Sequence, residues 1–275
     1  MIKTKYIFLW VLVLGFSSIG FTQTSDSALY RTNNVKSVET WVRMVGFEKS
    51  NDTCLSSVKD VNKKGQPTYI KMDYHCQGWD IVNEIKYEYN DKGHLTRILT
   101  EQNEQIISNL NMTTDEFGRT IREENTFFEP SATVIVQNKY FGPVDKPDSM
   151  FTVEINNGDT LYLRTDYTYV DGRLKKSQTM NTVENKAVNM VSNRYDEKGR
   201  LVRSEFIYFL GYDSDNITRF EYNDKDQIVK TKDELNNLAA EFYYDETGLP
   251  VKAFYYNKFG ALERETWFRY KYFDE

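Results

Sequence analysis

A short pattern recurs along this chain and limits what it can fold into: an aromatic residue, Asn or Asp, two polar residues, Gly, then Leu or Ile after one further position. It reads Tyr89-Asn90-Asp91-Lys92-Gly93-His94-Leu95 in one copy and Tyr195-Asp196-Glu197-Lys198-Gly199-Arg200-Leu201 in another. Further copies run from Phe220 to Lys230 and from Phe242 to Lys252, with a shortened one from Tyr167 to Lys176. The Asn or Asp side chain can accept a backbone N–H two residues on and start a type I turn, after which Gly takes positive φ and forms a bulge. The copy with Asp226 in the Gly position keeps the turn, because Asp visits the left-handed region at modest cost. Ahead of the turn, Ile85, Tyr87 and Tyr89 alternate with Lys86, Glu88 and Asn90, the period of a half-buried strand. Behind it, Leu95, Arg97 and Leu99 alternate with Thr96, Ile98 and Thr100, which leaves the inward face of that strand open.

The run from Tyr195 to Leu201 resembles the YD repeat, a unit shared by RHS-type proteins and small secreted bacterial proteins. The resemblance implies β-hairpins joined edge to edge into a large curved antiparallel sheet, shell or barrel, and it carries no catalytic residue. Long RHS proteins enclose a toxin domain. No unlike C-terminal region stands out in this chain for that role.

From Tyr167 onward the turn positions Gly172, Gly199, Asp226 and Gly248 are 27, 27 and 22 residues apart, so one period holds two strands and two turns. Extended over the chain, this gives about 16 to 20 strands, more than an open twisted sheet carries without curling, splitting or closing. The fold expected is all-β: an antiparallel meander of tandem β-hairpins, curved into a barrel, a flattened barrel or a shell, with aromatic rings filling its interior. The 20 Tyr and 17 Phe supply those rings. It should form one domain over residues 35–275, interrupted by an irregular stretch at about 125–160 that holds Pro130, Pro143 and Pro147. That stretch is either a variable linker or the place for a specialised binding surface.

Residues 1–22 read as a secretory signal peptide, with Lys3 and Lys5 ahead of the apolar run from Ile7 to Leu14. Residues 23–34 are polar and read as a flexible lead-in. Cys54 and Cys76 lie on either side of the turn sequence Asn62-Lys63-Lys64-Gly65, and counting outward from that turn puts them on facing strands within cross-strand reach. In an exported chain this pair is expected to be a disulfide, two buried thiols being the alternative.

Catalytic signatures are missing. There is no P-loop, dinucleotide fingerprint, HExxH or CxxC, and His75 and His94 have no nucleophile paired with them by any motif. Asp213-Ser214-Asp215-Asn216 and Asp224-Lys225-Asp226 lack the loop and closing Glu of a Ca²⁺ site and read as acidic turns. Asn51, Asn111 and Asn216 open N-x-Thr sequons, which carry little weight in a chain of bacterial character. A net charge of −6 argues against nucleic acid or an anionic membrane as partner. The sequence therefore predicts no catalytic residue, cofactor or metal. The leading expectation is an exported, non-catalytic scaffold or binding protein of the bacterial envelope, periplasmic or secreted, with a protein or glycan ligand. Trp79, Tyr140 and Phe141 are the candidate binding aromatics. The alternatives are a small outer-membrane β-barrel and a hydrolase using paired carboxylates.

Overall fold

The computed structural model describes residues 26–45, 53–128, 131–209 and 216–274. Strands β1 to β6 are Val35–Met44, Cys54–Val61, Pro67–Asp73, Val82–Tyr89, Leu95–Gln102 and Gln105–Thr114. Strands β7 to β12 are Thr120–Phe128, Ser131–Phe141, Ser149–Asn156, Asp159–Val170, Arg173–Asn181 and Lys186–Tyr195. Strands β13 to β18 are Leu201–Tyr208, Asn216–Tyr222, Ile228–Lys232, Leu238–Tyr244, Pro250–Tyr256 and Leu262–Tyr272. Each pairs antiparallel with the next. The last returns to the first, with Trp41 opposite Trp267 and Val38 opposite Tyr270. The eighteen strands thus form a closed up-and-down barrel, and closure removes the exposed edges of an open sheet.

The repeated motif builds the turns at one rim. Asn62 accepts the amides of Lys64 and Gln66 at 2.9 and 3.1 Å, and Asn223, Asp196 and Asp245 act alike in their own turns. The fourth turn residue then has positive φ, 84° at Gly93 and 61° at Asp226. Each turn leaves a one-residue register shift, as between Glu88 and Tyr89. That shift resolves the strand whose face the sequence leaves open. It sets Leu95 opposite Tyr89, so Leu95 and Ile98 both join the inner cluster of Ile70, Ile85, Tyr87 and Leu110 despite their odd spacing.

The aromatic position has its own role. Six tyrosine hydroxyls near strand ends donate to a carbonyl at the start of the strand after the preceding hairpin's turn, its first residue in five cases and its second, Leu174, in one. These are Tyr89 to Pro67, Tyr140 to Thr120 and Tyr195 to Leu174, at 2.8, 3.0 and 2.9 Å. Tyr222 to Leu201, Tyr244 to Ile228 and Tyr270 to Pro250 follow at 2.7, 2.6 and 2.6 Å. Each bond ties one hairpin to its predecessor at the bulge. A cation often lies on the same ring, as Arg200 over Tyr222 at 4.7 Å and Arg119 over Tyr140 at 4.8 Å.

Two expectations are corrected. The described part of residues 125–160 is regular strand except for the two-residue turn at 157–158 and the 142–148 connection, which takes up Pro143 and Pro147; residues 129–130, Pro130 among them, lie outside the described residues. Pro143 and Pro147 fall between strands, so they break no ladder. The lead-in expected to be flexible over residues 23–34 is ordered in its described part: residues 26–32 form a helix, α1. Its Leu29 and Tyr30 pack on Val38, Val61, Leu249, Phe268 and Tyr270, inside the β1–β18 junction at the repeat-turn rim. Three consecutive apolar residues, Ala28, Leu29 and Tyr30, in an otherwise polar stretch show no helical period, and the barrel wall supplies the stabilisation. The proposed signal peptide, residues 1–22, lies outside the described residues.

Removing one latch should be measurable. Tyr195→Phe keeps the ring and deletes the hydroxyl, so urea unfolding should show a loss of about 1 kcal/mol. The exposed outer residue Tyr243 serves as control, and Tyr243→Phe should leave stability unchanged.

Candidate functional site

The barrel's two faces differ in chemistry. One inner row runs Tyr87, Ile98, Leu110, Asn125, Val134 and Asn156 across six strands, and another runs Tyr167, Ser177, Val191 and Phe206. Burial on this face pushes the phenols of Tyr87 and Tyr167 up to about 12. The outer face alternates with it and carries ion pairs along successive hairpins. Lys86 meets Glu101 at 2.8 Å, Arg97 meets Glu88 at 3.1 Å, Lys230 meets Glu241 at 3.2 Å, and Arg43 meets Glu265 at 2.7 Å. The first three pairs are partly exposed and add little stability, whereas Glu265 is only 8% exposed. Their importance is that this face meets water.

Eighteen strands enclose more width than side chains can fill; barrels of sixteen to eighteen strands leave an aqueous interior. The inner aromatics therefore line a wall and do not meet in a packed centre, contrary to the expected aromatic filling. The cluster around Ile85 is made by four successive strands, β3 to β6, with no residue of the far wall. Where the interior is occupied, α1 does it. Asp26 is held there, its carboxyl raised by burial against the opposing pull of Lys59, and the Lys59 ammonium lies 5.4 Å from the Tyr30 ring.

The lumen is lined by hydroxyl and amide groups, aromatic rings and few charges. Thr152, Thr165 and Thr266 are buried in it. Thr165 shares a 3.0 Å hydrogen bond with Thr179, and Thr152 donates to Asn138 at 2.8 Å. Arg264 stacks on Tyr255 at 4.0 Å. Glu123 and Glu154 occupy the row Glu123, Val136, Glu154 on β7, β8 and β9. Burial raises both carboxyls, Glu154 to about 7. Neither has an ion-pair partner among the described residues. They stand on one wall about 10 Å apart with Val136 between them, so they do not face one another across a cleft as a paired-carboxylate hydrolase requires. No sequence signal marks either: polar residues fall on both faces of β7, so Glu123 and Glu124 look alike before the register is known.

The residues singled out from sequence are dispersed. Tyr140 points inward and is one of the latches. Phe141, its strand neighbour, faces outward, 45% exposed, with Lys139 5.4 Å from its ring. Trp79 stands 62% exposed at the opposite rim. The three share no surface, since adjacent strand residues face opposite sides. Cys54 and Cys76 form the expected disulfide. Cys76 is not on a strand, however: residues His75–Gln77 form a 3₁₀ turn. Beside it the exposed His75 is bracketed by Asp73 at 2.5 Å and Asp80 at 2.6 Å, and hydrogen bonds from these two carboxylates raise its pKa. His94 lies at the repeat-turn rim near Thr114, at 3.5 Å. No group of three or more His, Cys, Asp or Glu fit to hold a metal occurs among the described residues. Residues 213–215 lie outside them.

No family model matches the chain, and no curated protein matches it. Among solved structures it is similar to a porin-like protein from Bacteroides uniformis, with a TM-score of 0.46 and 8% identity over 86% of this chain and 98% of that one. A porin-like protein from Bacteroides vulgatus gives a TM-score of 0.45 and 11% identity, with the same coverage. The Photorhabdus luminescens Tc holotoxin pore gives 0.32 and 8% identity over 77% of this chain and 16% of that one.

The raised carboxyl of Glu154 has a signed consequence. Its folded-state pKa exceeds that of an unfolded Glu, so its favourable contribution is complete below about 4.5 and is lost as pH rises through about 7. Glu154→Gln should match the parent at pH 4 and exceed it at pH 8, by about 2 kcal/mol after discounting for partial exposure. Chemical denaturation at the two pH values measures this.

Proposed function

We propose that this chain is an exported, non-catalytic barrel of the bacterial envelope that binds a hydroxyl-rich ligand, a glycan, along its inner wall. One observation carries the reading: the division of the two faces, with ion pairs outside and hydroxyls, amides and aromatic rings inside an interior that the side chains leave open. Aromatic faces stack on apolar patches of a sugar ring, and Thr, Ser and Asn side chains exchange hydrogen bonds with its hydroxyls. The resemblance of the turn motif to repeats of small secreted bacterial proteins supports the location, and so does the disulfide.

The outer-membrane alternative needs an apolar band facing lipid. Lys86, Glu101, Arg97 and Glu241 lie on that face here, and Arg or Lys at the bilayer midplane costs about 2–4 kcal/mol each.

Two measurements test the proposal. Alkaline carbonate should release the exported protein from envelope membranes, whereas an integral barrel would stay behind. In calorimetric titration against neutral oligosaccharides, Phe206→Ala on the inner wall should weaken binding about tenfold, and Tyr243→Ala on the outer wall should not. Retention after carbonate, or binding that depends on Tyr243 and not on Phe206, contradicts it.

A further inference from the structure

The two rims of the barrel are built from the same kind of turn but present different side chains. At the rim formed by the repeat motif, the third turn residue is Lys64, Lys92, Lys198 or Lys225, with Phe117 as the exception and Thr247 at the last turn. At the opposite rim the turns opened by Asp233 and Asn257 have the same hydrogen bonds, Asn236 N–H to Asp233 O at 3.1 Å and Gly260 N–H to Asn257 O at 2.8 Å. There the equivalent positions hold Leu235 and Phe259, 73% and 83% exposed. The turn geometry tolerates lysine, so the apolar residues are not required by the fold.

The repeat-motif rim also exposes Phe117, Val144 and Val170, at 41–55%, but the four most exposed large apolar residues among the described ones, Phe259, Val183, Leu235 and Trp79 at 62–83%, all lie at the opposite rim. Trp79 projects from the β3–β4 connection, Phe128 ends β7 and Phe209 follows β13, all exposed. Ile106 and Val183 add exposed aliphatic groups beside the β5–β6 and β11–β12 turns. Among the described connections of this rim from β3 onward, only the Asn157-Gly158 turn lacks such a residue. Trp79 is also held firmly. The Cys54–Cys76 disulfide, the Asp73–His75–Asp80 bracket and a 3.1 Å hydrogen bond from Asn103 to the Asp80 carbonyl fix its loop. The loop thus holds the indole in water at a fixed place on the rim.

We propose that this rim docks the barrel on the surface of a lipid bilayer, the apolar tips entering the interfacial layer. A protein partner would have to present matching pockets spaced around a whole ring, because the tips sit on separate hairpins and form no continuous patch. A bilayer interface is fluid and takes isolated apolar tips without shape matching, and Trp and Phe suit that depth. The charges between the tips select the lipid. Asp80, Glu104, Glu184 and Glu234 outnumber Lys186 and Lys258 there, so the attraction is apolar and favours an uncharged or zwitterionic surface over an anionic one. The same acidic ring disfavours docking of two copies rim to rim.

The test is flotation of the exported, disulfide-intact protein with zwitterionic phosphatidylcholine vesicles. The parent should float with them, equally at low salt and at about 0.5 M salt, with a blue shift of Trp79 emission. The triple variant Trp79→Ser, Leu235→Ser, Phe259→Ser changes only exposed turn tips and should lose at least about tenfold in partitioning. Phe117→Ser, at the equivalent turn position of the other rim, should bind as the parent does. The segment ahead of Asp26 is common to all three proteins, so the difference isolates the tips. The proposal is overturned by a parent that does not float, by equal flotation of the triple variant, by binding confined to anionic vesicles and abolished by salt, or by lipid-free self-association that the triple variant abolishes. Oligosaccharide binding by the inner wall is a separate readout, so failure here leaves the proposed ligand function standing, and the reverse.

Discussion

The hydrogen bond from a strand-end tyrosine to the carbonyl beyond the preceding turn is the contact on which the rest of this barrel depends. A turn with a bulge closes one hairpin but says nothing about the next. The tyrosine supplies that information, because its hydroxyl reaches a fixed carbonyl one hairpin back, from Tyr222 to Leu201 and from Tyr244 to Ile228. Each such bond is worth about 1 kcal/mol, and repetition makes the spacing between hairpins regular. Among the described strands the latch is absent at Val61 ahead of Asn62, at Tyr169 near the end of β10, and at Thr114 ahead of Asp115, where the neighbouring His94 lies instead.

Regular spacing brings the last strand back to the first, and that seam is reinforced on both sides. Inside, α1 places Tyr30 across Val38 of β1 and Tyr270 of β18. Outside, Trp41 and Trp267 face each other across the same pair, with Arg269 4.8 Å from the Trp41 ring and Arg43 5.9 Å from Trp267. Glu265, only 8% exposed, is neutralised by Arg43. Once the ring is closed, strand number fixes the width of the interior and alternation fixes its chemistry. The charged residues of the repeat fall outside, and the hydroxyls and rings fall inside. The proposed ligand site follows from these two constraints without any dedicated loop.

Much of the fold was legible. Asn or Asp with Gly marked the turns, alternation at Ile85, Tyr87 and Tyr89 marked the strands, and the turn spacing marked a strand number large enough to close. The site was legible only in part. Glu123 and Glu154 become neighbours through pairings of three strands, and nothing in a local window separates an inward Glu from an outward one. The parity change at each bulge hid the inner face of β5, since Leu95 and Ile98 look like residues on opposite sides. Tyr140 looked like a ligand-binding aromatic because its hydroxyl's partner, the Thr120 carbonyl, lies twenty residues away. Helix α1 was invisible because its stability comes from the wall it rests on.

The lumen and the ligand site placed in it depend on closure of the ring at the β1–β18 seam. Amide hydrogen exchange of Val38, Thr40 and Val42 in β1 and of Thr266, Phe268 and Tyr270 in β18 measures it directly. A closed barrel gives these amides protection equal to that of central strands such as β4 and β12. Fast exchange of the β1 and β18 amides, with the central strands still protected, would mean an open sheet with two free edges and would contradict both the lumen and the ligand site placed in it.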